Sequence, residues 1–324
     1  MATLIIGAGL VGSQVARILV GQGARPVLMD FAPQRAALGE IVELDKVELV
    51  EGDVLRPLKL TEIITAHGIT DIVHTVANPM LTVGAQKDPF AAIQLNIMGT
   101  VNVLEAARVH KLRRVVVSSS NVLGHFMEGG EAKGDLKREE AFPRPTTFYA
   151  TTKQAIENLG LNYARWCGVD FTAVRYGAVC GPWSGAGGGG PSMIMKEAVN
   201  RLLRGEEATV PSAGLEWVYS KDAGRGTVLA LQARGDLKGR IFNITMGYVC
   251  EAADLAAALM AALPGSKVRV ETPTATAVAT PQMRHGSDLT LAKNELGYVP
   301  QYKMPEAVQD LVNWSRRNTK GGQA

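Results

Sequence analysis

Cysteine is scarce in this chain: three in 324 residues, at Cys167, Cys180 and Cys250, odd in number and far apart. That usage gives no disulfide framework and fits reduced thiols in cytoplasm. Histidine is also sparse. His67, His74, His110, His125 and His285 form no ligand-spaced cluster, so no metal site is expected. Charge of one sign is missing too: 34 Lys+Arg against 31 Asp+Glu leave a dispersed net charge of +3, which excludes a nucleic-acid surface. No stretch approaches the roughly 18 uninterrupted apolar residues of a membrane span. The N-terminus runs directly into an apolar strand, with no basic segment and cleavage site to mark export. The expectation is a soluble cytoplasmic protein with neither a nucleic-acid nor a membrane partner.

What is present is an apolar content of 46%, ample for a buried core, on a length that suits one large domain or two smaller ones. Leu4-Ile5-Ile6 reads as a short buried strand, and Val11, Val15, Ile18 and Leu19 then switch to helical spacing. Between them lies Gly7-Ala8-Gly9-Leu10-Val11-Gly12, the strand–turn–helix setting in which Gly-x-Gly-x-x-Gly has a mechanism. Gly7 permits the tight turn, Gly9 lets the backbone approach a pyrophosphate, and Gly12 lets helix pack on strand. The anion would sit on the helix N-terminus. A second strand, Arg25 to Asp30, ends in an acid 18 residues after Gly12. A carboxylate there accepts hydrogen bonds from ribose hydroxyls and repels a 2′-phosphate, so the expected cofactor is NAD. Arg35 is the nearby group that works against this preference.

Further strands at Val47 to Glu51, Asp71 to Val76, Arg114 to Ser118, Val169 to Arg175 and Arg240 to Ile244 alternate with helical segments. One of these carries Phe90, Ile93, Ile97, Val101 and Leu104 on one stripe. Such alternation implies an α/β fold, a doubly wound parallel (Rossmann) sheet covered on both faces. Asp30, Asp53, Ala77 and Ser119 fall at strand carboxyl ends, where ligands bind. Two stretches look irregular: Leu123 to Thr147, and Gly181 to Pro191 with its four consecutive glycines. Residues 316–324 read as a polar tail.

Tyr149 and Lys153 stand four residues apart at the start of a helix whose apolar positions are Ile156, Leu159, Tyr163 and Trp166, so they project from one face. A phenol ionises near pH 10 in isolation. An ammonium about 4 Å away, at an effective dielectric near 20, favours phenolate by about 4 kcal/mol, roughly three pKa units. The expectation is a phenol poised for acid–base work near neutrality.

Together these motifs resemble the extended short-chain dehydrogenase/reductases of the NAD-dependent epimerase/dehydratase group, over residues 2 to about 315. Val115-Val116-Val117-Ser118-Ser119-Ser120-Asn121-Val122-Leu123-Gly124 resembles that family's strand-ending serine motif. Glu139-Glu140, Pro143, Pro145 and Tyr149-x-x-x-Lys153 follow at family spacing. Asn96-Ile97-Met98-Gly99-Thr100, Val174-Arg175-Tyr176, Trp217 to Asp222 and Phe242-Asn243-Ile244 resemble further family segments.

The resemblance implies roles. Aligning Gly124 with the family's closing glycine makes Ser119 the catalytic serine that holds the substrate oxygen. Tyr149 transfers its proton, and Lys153 lowers the Tyr149 pKa and binds the nicotinamide ribose. Gly7, Gly9, Leu10, Val11 and Gly12 cradle the pyrophosphate, and Asp30 binds the adenosine ribose. Asp53 and the Val54 backbone meet adenine, and Ala77 lines the cofactor channel. Ser120, His125 and Tyr176 are candidate substrate contacts, though Ser120 and Asn121 read as turn residues rather than catalysts, and His125 otherwise as a solvated loop residue. Asn96 is either a buried bridge or a catalytic part. The implied organisation is an NAD-binding domain of residues 1–176, with the strand near 241–244 returning to it. A partly interleaved substrate domain spans 177–315, and the helices near 90–109 and 149–166 form a homodimer interface.

Departures from the family pattern narrow the substrate. Ile6 stands where extended members usually have their first glycine. Ala178 follows Arg175-Tyr176-Gly177 where sugar-nucleotide members commonly have a diphosphate-binding asparagine. Gly214-Leu215-Glu216 stands where they commonly have an arginine, and Ser120-Asn121 replaces the acidic pair of the 4,6-dehydratases. The leading expectation is an NAD-dependent dehydrogenase of a small secondary alcohol or hydroxy compound using Ser-Tyr-Lys. The alternatives are an epimerase of a sugar or sugar nucleotide that retains its NAD, and a non-catalytic NAD-binding protein.

Overall fold

The computed structural model describes residues 2–77, 84–126, 145, 147–235, 237–271 and 285–321. The chain opens with β1 (Ala2–Ile6), α1 (Leu10–Gly21), β2 (Val27–Asp30), α2 (Arg35–Gly39), β3 (Glu48–Glu51), α3 (Pro57–His67) and β4 (Ile69–His74). Next come α4 (Gly84–Lys87), α5 (Pro89–Ile93), a π-helical turn at Gln94–Met98, α6 (Gly99–His110) and β5 (Arg114–Ser120). A 3-10 segment at Asn121–Phe126 leads on, and α7 (Phe148–Cys167) precedes β6 (Phe171–Tyr176). The remainder is β7 (Ala178–Cys180), α8 (Gly189–Leu203), β8 (Ala208–Val210), β9 (Leu215–Tyr219), α9 (Ser220–Gln232) and β10 (Ile241–Ile244). It ends with β11 (Val249–Cys250), α10 (Ala252–Ala262), β12 (Val268–Val270), α11 (Thr290–Leu296) and α12 (Met304–Gly321).

Seven strands form one sheet in the order β3-β2-β1-β4-β5-β6-β10, and every pairing is parallel. This is the doubly wound Rossmann arrangement. Strand order reverses between β1 and β4, which opens a crevice at their carboxyl ends. β4 stops two residues earlier than its apolar run because Thr75 turns aside. Its hydroxyl donates to the carbonyls of Ile6 and Gly7, each at 3.1 Å.

Alternation along the strands divides the core. Ile5, Leu28, Val73, Val116 and Val174 face α1 and α9. Leu4, Met29, Ile72, Val115, Val117 and Phe171 face α3, α6 and α7. Each such side chain contributes about 1.5–3 kcal/mol on burial. Gly160 fixes the height of α7 over β6, since a Cβ there would lie 2.2 Å from the Phe171 ring. A second core, around Met195, Trp217, Tyr219, Leu259 and Val308, joins α8, α10 and α12 to two small sheets, β11-β9-β7 and β12-β8.

Three expectations need correction. The stripe on residues 90–104 is not one buried face: Phe90 is 72% exposed and Leu104 fully buried, because the π-turn at Gln94–Met98 rotates the face and puts Asn96 and Thr100 inside. Trp166 likewise lies 74% exposed at the far end of α7. The polar tail is helical as far as Gly321, and Asn318 is tied to Glu40 at 3.0 Å. Most of the stretch Leu123 to Thr147 lies outside the described residues. By length and composition alone Pro89–His110 would pass for a bilayer span, but part of it is buried against the sheet.

Candidate active site

At the crevice, Gly7 adopts φ +104°, and a Cβ on Gly12 would lie 1.8 Å from the Gly7 carbonyl oxygen, so the turn and the close start of α1 both require glycine. Gly9 faces open space and caps α1 without any side chain. Free N–H groups and the helix dipole therefore point at the cavity, a site for an anion. Asp30 closes the other side. Its Oδ2 accepts from Ala8 N at 2.9 Å and its Oδ1 from Ala32 N at 3.0 Å. Each carboxylate oxygen keeps a further acceptor site for a ribose hydroxyl. These residues fit a dinucleotide.

The cavity measures about 590 Å³, and Gly7, Gly9, Leu10, Val11, Asp30 and Ala77 line its cofactor side. Ser119, Ser120, Tyr149, Lys153 and Tyr176 line the rest among the expected residues. Gly12 stays behind the turn. Asp53 and Val54 are not among the residues that line it; Asp53 Oδ1 accepts from Leu55 N at 2.8 Å, and the Val54 carbonyl accepts from Asn102 at 3.0 Å. The side chain of His125 lies outside the described residues. Tyr176 is buried and its hydroxyl is turned away to Thr227 on α9, so its ring alone can face a ligand. Asn96 is a buried bridge, donating to Thr152 Oγ1 at 3.0 Å.

Both serines line the cavity, but the one expected to meet Tyr149 is engaged elsewhere. Ser119 is 2% exposed and donates to Glu157 Oε1 at 2.5 Å, on the α7 face of the sheet. Ser120, one residue on, hydrogen-bonds the Tyr149 phenol. Counting back from Gly124 reads across the 3-10 segment that begins at Asn121 and gives no account of which serine faces the phenol.

Lys153 is 2% exposed. Its Nζ donates to the Ser118 carbonyl at 2.7 Å and lies 5.5 Å from the Tyr149 ring centroid. Burial pulls the ammonium down to about 8, with Glu157 opposing. The expected lowering of Tyr149 does not occur. Burial pushes the phenol up to about 12, and the Ser120 hydrogen bond offsets only part of that. Removing water costs a phenolate more than the nearby donor returns.

Several residues here went unread in the sequence. Glu157 extends the Tyr149 and Lys153 stripe by one more turn, a signal that was available. Glu216, at the position where sugar-nucleotide members commonly have an arginine, is a buried junction. It accepts from Thr245 Oγ1 (2.6 Å), Ser287 N (2.8 Å), Ser287 Oγ (2.6 Å) and Asn121 Nδ2 (2.9 Å), which fills its four lone-pair sites. The glycine-rich segment after β7 is held down. Trp183 packs against Leu10 and Ala37, and Gln34 both donates to the Ala186 carbonyl (3.2 Å) and accepts from its N–H (2.6 Å).

Comparison with known proteins places this geometry. The sequence profile of the NAD dependent epimerase/dehydratase family matches residues 3–245. UDP-glucuronate 4-epimerase 4 of Arabidopsis thaliana is 25% identical, over 97% of this chain and 75% of its own. An L-threonine dehydrogenase structure from Cupriavidus necator is 28% identical with a TM-score of 0.81, over 97% of this chain and 99% of its own. The UDP-glucose 4-epimerase of Thermus thermophilus, solved with NAD, shares the fold at 22% identity and a TM-score of 0.78, over 98% of this chain and 99% of its own.

Proposed function

The chain belongs to the NAD-dependent epimerase/dehydratase family, and from that premise we propose that it interconverts a small hydroxy compound and its carbonyl form at one carbon, with Tyr149, Ser120 and Lys153 as its catalytic residues. NAD is the cofactor, and when bound it supplies the hydride acceptor or donor. Ser120 holds the substrate oxygen, and Tyr149, in hydrogen-bond contact with Ser120, exchanges that oxygen's proton. Lys153 supplies positive charge beneath the phenol, favouring phenolate when the alcohol is oxidised. The observation that carries the reading is this: Ser120, Tyr149 and Lys153 share one cavity with the Gly7–Gly9 turn and Asp30.

The same lining supports a substrate without a diphosphate. Among the described residues, Lys153 is the one cationic side chain that lines the cavity. Arg201 and Arg204 are engaged with Glu207 and Glu206 at the surface. Lys196 donates to Ser184 O and lines an adjoining cavity that shares Ala186 and Gly187 with this one. A diphosphate is held by several charge-assisted contacts, and Ala178 and Leu215 offer none. A second reading, an epimerase that returns the hydride to the same carbon, is favoured by the curated UDP-glucuronate 4-epimerase relatives. Calorimetry with UDP, GDP and dTDP on the NAD-loaded protein, beside a panel of hydroxy compounds assayed for NADH, separates the two. The first reading expects no saturable nucleotide binding below about 1 mM, a limit of about −4 kcal/mol, and NADH from a small alcohol. Tight nucleotide binding without net NADH favours the epimerase.

A further inference from the structure

Glu157 follows Lys153 by one helical turn, so Tyr149, Lys153 and Glu157 stand at i, i+4 and i+8 on one face of α7. The carboxylate is buried, 4% exposed, a position that is costly unless hydrogen bonds and opposite charge replace the lost water. Arg175 of β6 provides a fork, Nε at 2.8 Å from Oε1 and Nη2 at 2.6 Å from Oε2, and Ser119 of β5 donates to Oε1. The Gly160–Phe171 contact already seats α7 on the sheet without any charge. What the carboxylate adds is a negative potential within a turn of a buried ammonium. Among the described residues, the other titratable or charged groups around Lys153 are Tyr149 on its own helix, His74 at the end of β4 and Arg175 beyond Glu157. His74 is held neutral by burial, so Glu157 is the anion among these described groups.

We propose that Glu157 is a positioning residue for the reaction: clamped by Ser119 and Arg175, it holds the Lys153 ammonium charged and in place beneath Tyr149. The proposal rests on the roles given above to Tyr149 and Lys153. It assigns adjacent serines to opposite sides of one machine, Ser120 on the phenol and Ser119 on the carboxylate that supports the lysine. Burial alone draws Lys153 towards neutrality and Glu157 works against that. Without the anion, Lys153 gives up its proton at lower pH, and activity that needs the ammonium is lost at lower pH with it.

The test is a titration of the Lys153 side chain by NMR in carbon-13 lysine-labelled protein free of cofactor, the signal being assigned by its disappearance in Lys153→Met. In Glu157→Gln the midpoint should fall by at least about one pH unit, tenfold in proton affinity. In Glu157→Asp, which keeps the charge, it should stay within about half a unit. The basic limb of the kcat/KM profile should move with the midpoint. A Glu157→Gln midpoint equal to wild type, whatever the rate does, overturns the proposal. If Glu157→Gln does not fold, Arg175→Gln carries the test: Glu157 then acts unscreened and the midpoint must rise, and no change or a fall overturns the proposal. The titration needs neither NAD nor substrate, so failure of the wild-type protein to transfer hydride would sink the functional reading and leave this result standing.

Discussion

Ser119 and Ser120 illustrate how much one residue of parity decides. Side chains alternate along a strand, and at the end of β5 the two adjacent serines take different partners on α7, Ser119 the Glu157 carboxylate and Ser120 the Tyr149 phenol. The motif was legible in the sequence; which serine faces the phenol was not, because that depends on where the strand ends. His74 makes the same point about burial. Its period-2 position reads as strand, yet nothing in the sequence reports that both ring nitrogens are buried with no hydrogen-bond partner among the described residues. Burial, with Lys153 adding to it, draws the imidazole down to about 3, against about 6.5 in an unfolded chain. Between those pH values the unfolded chain takes up a proton that the folded one refuses. Stability should therefore fall as pH drops below about 6.5, by up to about 1.4 kcal/mol per unit, and level off near 3. Urea unfolding of His74→Phe should show that slope reduced; an unchanged slope would mean that other groups dominate acid lability.

At the scale of elements, the seven strands of the main sheet were legible because parallel strands covered on both faces read as apolar runs, whereas the short strands of the two small sheets were not. Gly7, Gly9, Gly12 and Asp30 marked the first βαβ unit for steric and electrostatic reasons. The π-turn at Gln94–Met98 was not legible: one extra residue in a turn breaks the helical period without any change in composition. Nor was the seating of the glycine-rich segment, since Gln34 and Ala186 meet across 152 residues of sequence. Asp30 does two things in this unit. It braces the turn through Ala8 N and offers acceptors to a ribose. Wild-type protein should prefer NAD over NADP by at least tenfold, about 1.4 kcal/mol. Asp30→Ser should erode that preference and weaken NAD itself through loss of the brace. Fluorescence titration with both cofactors measures this, and equal wild-type affinities would show that Asp30 does not face the ribose.

For the whole molecule, the exposed apolar residues have a pattern. Phe90, Ile93, Met98 and Val109 on the helical run 89–110, with Phe148 and Trp166 on α7, stay uncovered, and α5 packs against α7. The resemblance implies a second copy of the chain as partner, and these residues are the candidates for that contact. Light scattering should give twice the chain mass at micromolar concentration, and Phe90→Glu combined with Trp166→Glu should give monomer; a wild-type monomer would contradict this. The central claim is that the Ser120 and Tyr149 pair above Lys153 moves a proton while NAD carries hydride. Its most direct test is the rate of hydride transfer, read as NADH appearing in turnover or transiently in a single turnover, in wild type, Tyr149→Phe, Ser120→Ala and Ser119→Ala. The account predicts a loss of about 10²–10⁴-fold for Tyr149→Phe, a large loss for Ser120→Ala, and a smaller effect for Ser119→Ala. Near wild-type transfer by Tyr149→Phe, or a greater loss from Ser119→Ala than from Ser120→Ala, would contradict it.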